Sequence, residues 1–148
     1  MSKDREKVRR LMVSINRIDG IWYRLARRSG VKVNMLSLLF ALDDGTPRTQ
    51  KQICEEWIIP KTTINTIVKE CVAAGYVRLL QNEHSREKLL YLTPGGQAYA
   101  QKALRLFYQV ENAAMERTLQ SCSPAFIEDI GRYAENLREE AEKADAIL

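Results

Sequence analysis

The chain has 148 residues, 45% of them hydrophobic, which suffices for one compact domain whose core needs neither metal nor disulfide. Three cysteines without C-x-x-C spacing and a single histidine, His84, exclude Cys-His and Ser-His nucleophile pairs and His-rich metal sites, so no cofactor, no metal and no enzymatic activity are expected. The net charge of +4 is uneven, with nine Lys or Arg against three acids in residues 1–30 and three against seven in residues 124–148; this basic balance is compatible with a phosphate backbone as partner.

Val8, Leu11, Ile15, Ile18, Trp22 and Leu25 alternate spacings of three and four, the stripe of an amphipathic helix that Ser29-Gly30 ends. Gly20 interrupts it and is expected to mark a bend or a close contact. A short second helix starts at about Asn34, read as its N-cap, and runs through Met35, Leu36, Leu38, Leu39, Phe40 and Leu42. It is apolar nearly all round, and Asp43-Asp44-Gly45-Thr46-Pro47 stops it. Thr49-Gln50-Lys51-Gln52 has the form of a capping box, so a third helix begins there, offers Ile53 and Trp57 to a core and ends near Ile58-Ile59 before Pro60.

Pro60 suits the first turn of a fourth helix, whose Ile64, Ile67, Val68, Cys71 and Val72 form one stripe and whose end is marked by Gly75. Val77 to Leu80 and Lys88 to Leu92 are two short apolar runs joined by the polar segment Gln81 to Glu87, the pattern of a hairpin with a long tip. A long helix follows Pro94-Gly95-Gly96 and breaks at Ser121 to Pro124. In the last helix Phe126, Ile130, Tyr133, Leu137, Ala141, Ala144 and Leu148 recur at three and four, a seam of nearly coiled-coil regularity that requires a partner. No stretch approaches the roughly 18 continuous apolar residues of a membrane span, and no apolar run follows the start of the chain, so a cytoplasmic protein without membrane contact is expected.

Two short helices joined by a tight turn and followed by a hairpin let one helix enter a major groove while the hairpin tip reaches the neighbouring backbone. On the outward face, Thr62, Thr63, Asn65 and Thr66 are suited to base edges, since Asn pairs with adenine and threonine methyls meet the thymine methyl. Lys51, Lys61, Lys69, Arg86 and Lys88 are suited to phosphates, and the helix start at Thr49 and Gln50 adds free amides for another. The fold class expected is mainly α with a small β-hairpin wing, and the partner expected is double-stranded DNA.

Thr62-Thr63-Ile64-Asn65-Thr66-Ile67-Val68, Ala74-Gly75-Tyr76-Val77, and Arg86 followed by Leu90-Tyr91-Leu92-Thr93-Pro94-Gly95-Gly96 resemble the MarR family of bacterial regulators, and the layout is similar over nearly the full chain. The resemblance implies a winged helix-turn-helix lobe over residues 33–92 and an interlocking dimerisation region over 5–28 and 97–148, in which Leu11, Ile15, Phe126, Ile130, Tyr133 and Leu137 are the apolar contacts. It implies a homodimer that acts as a ligand-responsive repressor on a palindromic operator. Arg86 matches the wing arginine, although His84 stands where that family usually carries an aspartate. A small-molecule effector is also implied, for which Trp22, Tyr23, Met35 and Phe40 are the candidate lining.

Two other readings accompany this one. The same fold can present its helix face to a protein, a winged-helix interaction module without DNA binding. Redox sensing requires an accessible thiol of low pKa; Cys71 lies on an apolar stripe, Cys54 adjoins Glu55-Glu56, and Cys122 in a turn is the more exposed.

Overall fold

A computed structural model describes residues 3–145; Leu148, the last member of the expected C-terminal seam, lies outside the described residues. The elements run α1 (Lys3–Ser29), α2 (Val33–Leu42), β1 (Arg48–Thr49), α3 (Gln50–Trp57), α4 (Lys61–Ala73), β2 (Val77–Leu80), β3 (Leu89–Leu92), α5 (Pro94–Leu119) and α6 (Ala125–Asp145). The chain divides into two compact units, Met1–Tyr108 and Gln109–Leu148, with the division falling inside α5.

The first unit is built around α2. Leu36, Leu38, Leu39 and Leu42 are fully buried, which is what an apolar run without a polar face demands. Ile53 of α3, Ile64, Ile67, Val68 and Cys71 of α4, Val77, Leu90 and Leu92 of the sheet and Ala100, Ala103, Leu104 and Phe107 of α5 complete one core. Truncating any of these large side chains to alanine removes about 2 to 5 kcal/mol. Val72, assigned to the buried stripe from its spacing, lies at the edge of that stripe and is 42% exposed.

Three local details differ from the sequence reading. Helix α2 begins at Val33 with Lys32 at the N-cap position and no side-chain cap; Leu36 N donates to Lys32 O at 3.0 Å, so Asn34 lies inside the first turn. Pro60 occupies the N-cap of α4, one position ahead of its helical turn, and its carbonyl accepts from Ile64 N at 3.0 Å. Gly20 lies within α1 with no heavy atom within 4 Å of a built Cβ, so it marks no close contact in the chain.

The hairpin is part of a three-stranded antiparallel sheet of order β1-β3-β2. Arg48 and Thr49 pair with Leu90 and Leu89, a strand too short to carry a period-two signal. Thr49 also closes the capping box of α3: its Oγ1 accepts from Gln52 N at 3.1 Å and its own N donates to Gln52 Oε1 at 2.8 Å. One residue therefore ends a strand and starts a helix.

Between α3 and α4 the chain turns through Ile58, which holds φ 50 and ψ 45, the left-handed region, and is 83% exposed. A β-branched residue there carries about 1 to 2 kcal/mol of steric cost. The turn persists because its neighbours are anchored, Ile59 at 4% exposure and Trp57 against the core. At the other end of α4, Gly75 takes φ 76, Tyr76 N donates to Cys71 O at 2.8 Å and Gly75 N to Val72 O at 3.0 Å, a Schellman closure.

Thr93 joins this closure to α5. Its Oγ1 donates to Gly75 O at 2.5 Å, with Tyr76 O at 3.3 Å, and accepts from Gly96 N at 3.0 Å, while its backbone N donates to Tyr76 O at 2.9 Å. A Cβ on Gly96 would lie 1.9 Å from Tyr76 O, whereas on Gly95 its nearest neighbour would be Thr93 Oγ1 at 3.7 Å. The stacked rings of Tyr76 and Tyr99, 4.3 Å between centroids, lie beside this junction.

In the second unit, α6 buries none of its side chains among the described residues. Phe126 and Tyr133 are half-buried, and Ile130 and Leu137 are 46% and 53% exposed. Arg138 bridges Glu135 and Glu142, and Lys143 pairs with Glu140 at 2.7 Å, giving α6 exposed charge pairs as well as an apolar seam.

Gly96→Ala is expected to lower the unfolding free energy by about 3 kcal/mol or more, because backbone must move to admit the methyl, while Gly95→Ala changes it by under about 1 kcal/mol. Urea denaturation of the two variants side by side checks this; equal effects would contradict the junction. Ile58→Asn is expected to stabilise by about 0.5 to 1 kcal/mol in the same measurement, since asparagine tolerates the left-handed turn and little apolar burial is lost.

Candidate nucleic-acid interface

Helix α4 is two-faced. Ile64, Ile67, Val68 and Cys71 are in the core, and Lys61, Thr62, Thr66 and Lys69 are exposed, with Thr63 and Asn65 half-buried at the margins. Thr66 Oγ1 donates to Thr62 O at 3.2 Å, which leaves its methyl and lone pairs outward. Among the described residues, the side chains of Lys61, Thr62, Thr63, Asn65 and Lys69 have no hydrogen-bond or ion-pair partner. A row of unpartnered donors and acceptors on one helix face is the arrangement base-edge recognition uses.

The N-terminus of α3 adjoins this face. Lys51 is exposed and pairs loosely with Glu55 at 4.0 Å, and Gln50 is half-buried. Gln50, Lys51, Lys61 and Lys88 line one cleft of about 600 Å³ together with Cys54, Glu55, Leu79 and Glu87, so residues from α3, α4, β2 and the wing meet there. Gln50 also lines a shallower groove with Asn65 and Lys69. Thr49 does not belong with them: it is 6% exposed and its hydroxyl serves the capping box, so its place in the candidate set is corrected from contact to support.

The wing between β2 and β3 is ordered by its own side chains. Asn82 Oδ1 accepts from His84 N at 3.1 Å, Asn82 Nδ2 donates to Ser85 Oγ at 3.2 Å, and Ser85 Oγ accepts from Glu87 N at 3.0 Å. Asn82 and Ser85 thus shape the tip around His84, which is exposed. Arg86 and Lys88 are exposed on the wing, and Arg86 has no protein partner among the described residues.

Sequence reasoning missed a basic extension of this surface. Arg27 at the end of α1 and Lys32 before α2 line a groove with Thr62, Thr63 and Thr66, of about 590 Å³. The signal was present as a run of arginines, Arg24, Arg27 and Arg28, but its proximity to α4 is tertiary.

The four candidate lining residues do not share a cavity. Tyr23 lies on the groove with Arg27, Phe40 lines a different cleft, and Trp22 sits in an aromatic cluster with its ring 4.0 Å from that of Phe107. Met35 turns to the core, where Cys71 Sγ approaches its Sδ at 3.3 Å. Helices α1 and α2 direct these side chains to different places, which residue type does not show.

Cys71 is fully buried, and burial, then the charge of Glu70, pushes its thiol up to about 11. Burial and Glu55 raise the Cys54 thiol, against a smaller opposing effect of Lys61. Cys122 is exposed. Among the described residues no group of three or more His, Cys, Asp or Glu is placed to hold a metal ion, and no helix is long and apolar enough to cross a membrane.

Residues 29–87 match the sequence model of the MarR family. The fold is similar to that of a MarR family regulator from Neisseria meningitidis, at 22% identity over 93% of this chain and 98% of that one, with a TM-score of 0.73. It is also similar to the transcriptional regulator BldR from Sulfolobus solfataricus, at 21% identity over 97% and 99% of the two chains, TM-score 0.63. Staphylococcus aureus MarR, solved in complex with salicylate and kanamycin, is similar at 15% identity over 95% and 93%, TM-score 0.61. No curated protein matches in sequence. The family resemblance and the winged-helix fold class read from the sequence are both borne out.

With the native chain, a thiol reagent at neutral pH is expected to modify Cys122 rapidly and to leave Cys71 unmodified until denaturant is added, because a buried thiol with a raised pKa offers almost no thiolate. Mass spectrometry of digested samples checks this; early labelling of Cys71 would contradict its burial.

Proposed function

We propose that this chain, with MarR-family sequence over residues 29–87 and the MarR-family fold, is a sequence-specific double-stranded DNA-binding regulator. The observation that carries the proposal is the outward face of α4, where the side chains of Thr62, Asn65 and Lys69 have no protein partner among the described residues and stand with Thr66 beside the α3 start and the Arg86 wing. The fourth helix reads base edges, with Asn65 as the adenine-reading residue. Gln50, Lys51, Lys61, Lys69, Arg86 and Lys88 hold the phosphates on either side.

The active species proposed is a homodimer joined through residues 5–28 and 97–148, around a winged lobe of residues 33–92. The exposed apolar side chains of α1, among them Met12 at 40% and Ile18 at 59%, and the seam of α6 support this, because such surface is unfavourable to leave in water. Leu11 and Ile15 are half-buried on α1 and belong to the same face. Two reading helices about 34 Å apart then meet successive major grooves of a palindrome. Bound there, the dimer represses by occupying the operator, and a small molecule releases it; the relative solved with salicylate and kanamycin supports an effector-responsive reading.

Electrophoretic shift and fluorescence anisotropy with duplexes from the region upstream of the chain's own gene test this. Affinity is expected to fall steeply with salt, with a log–log slope of about −4 or steeper if at least five phosphates are met. Arg86→Ala weakens all sequences alike, whereas Asn65→Ala costs about 1 to 3 kcal/mol at particular base pairs and relaxes preference there. A salt-independent response, or none with any duplex, favours the protein-interaction module instead. A monomer by sedimentation at micromolar concentration would count against the dimer.

A further inference from the structure

A second cleft, away from the reading face, has a chemistry the DNA-binding role does not use. Trp22, Phe40, Trp57, Phe107 and Tyr108 form a continuous aromatic cluster, and on one side it opens as a cleft of about 290 Å³ walled by Phe40, Trp57 and Tyr108. All three wall residues are half-buried, so their rings are presented to the opening. Asp43 and Asp44, from the turn after α2, and Glu56 of α3 line its polar side.

The charges at this cleft do not balance. Arg48 is the one cation in its lining, and Asp44 holds it with both carboxylate oxygens, Nη1 to Oδ1 and Nη2 to Oδ2 each at 2.7 Å, while Nη1 also donates to the carbonyls of Ala41 and Thr46. Asp43 Oδ2 accepts from the Tyr108 hydroxyl at 2.8 Å and has no cationic partner. Glu56 makes no hydrogen bond or ion pair among the described residues, although its charge acts on Arg48, which leaves the three carboxylates of the lining facing one guanidinium. Burial first, then the hydrogen bond to Asp43 and the charges of Asp43 and Asp44, raise the Tyr108 phenol.

We propose that this cleft binds a small organic cation, an ammonium group carried on a flat apolar body about the size of one ring. The aromatic faces of Phe40, Trp57 and Tyr108 attract the cation, and Asp43 and Glu56 complete its charge. An anion meets the carboxylates of Asp43 and Glu56, neither of which is ion-paired, the nearby Arg48 guanidinium being held by both oxygens of Asp44, and a neutral ring leaves them as they are. In a chain of net charge +4 the site is locally acidic, so the preference for a cation comes from these residues and not from the molecule as a whole. As the effector site of the regulator it rests on the function proposed above; as a binding site it does not. Trp57 and Glu56 close the last turn of α3, directly before the Ile58 corner that leads into α4, which places an occupant next to the turn that sets the reading helix.

Calorimetry and tryptophan fluorescence of the full chain with benzyltrimethylammonium test the proposal, with benzoate and benzyl alcohol as the anionic and neutral arms. Saturable binding of the cation is expected, with both other arms weaker by about tenfold or more. Glu56→Gln and Trp57→Leu are each expected to weaken the cation several-fold, to about tenfold. Glu56 is exposed and makes no hydrogen bond or ion pair among the described residues, so its variant is expected to keep the native circular dichroism and thermal midpoint. The proposal is overturned if the cation binds no better than benzyl alcohol, or if both variants bind it as tightly as the parent chain. No DNA is present in these titrations, so their failure is distinct from a failure of the DNA-binding reading.

Discussion

The winged lobe depends on the contact between Thr93 and the turn after α4. A single side chain at the end of β3 donates to the carbonyl of Gly75 and accepts from the Gly96 amide in the first turn of α5, and the backbone N of the same residue donates to Tyr76 O. The end of α4, the base of the hairpin and the start of α5 are thereby fixed to one point. The approach is so close that glycine is required at Gly96, because any Cβ there collides with the carbonyl of Tyr76. Hydrogen bonds in so tight a junction matter chiefly through what their loss leaves unsatisfied, about 1 to 3 kcal/mol for each buried group.

From that fixed point the rest of the lobe follows. Helix α4 can expose a polar face because its other face is held by α2, whose leucines are buried on several sides. The entrance to α4 is held differently: the strained Ile58 corner is kept by Trp57 and Ile59, both anchored in apolar surroundings. The two ends of α4 thus rest on unlike interactions, a polar weld at Gly75 and an aromatic one at Trp57. The aromatic end borders the acidic cleft, which is why a ligand there is adjacent to the corner and not to the weld.

Much of this was legible in the chain. The capping box at Thr49, the stripe on α4 and the glycine after it each follow from local physics, and local physics is visible in spacing and residue type. The third strand was not legible, because Arg48 and Thr49 form a strand by pairing with Leu90 and Leu89, and two residues show no period. Asn34 was misplaced as a cap because a residue type favoured at caps need not be used as one; the preceding backbone turn at Lys32 determined where α2 starts. The wing carries His84 where the resemblance led an aspartate to be expected, and the ordering of the tip falls to Asn82 and Ser85.

By itself the sequence determined the order of the helices and the hairpin, the two-faced character of α4 and the apolar seam of α6, since each is a matter of periodicity along one segment. The tertiary structure alone decided which segments meet. It moved Thr49 from the candidate contact surface into the frame, brought Arg27 and Lys32 beside Thr62, and separated Tyr23, Phe40 and Met35, which the resemblance had grouped as one lining. It also gathered Asp43, Glu56, Trp57 and Tyr108 at one cleft. The physical reason is common to these cases: a helix distributes neighbouring residues over different faces, so what a side chain touches is set by the packing of helices against one another, and no single segment encodes that.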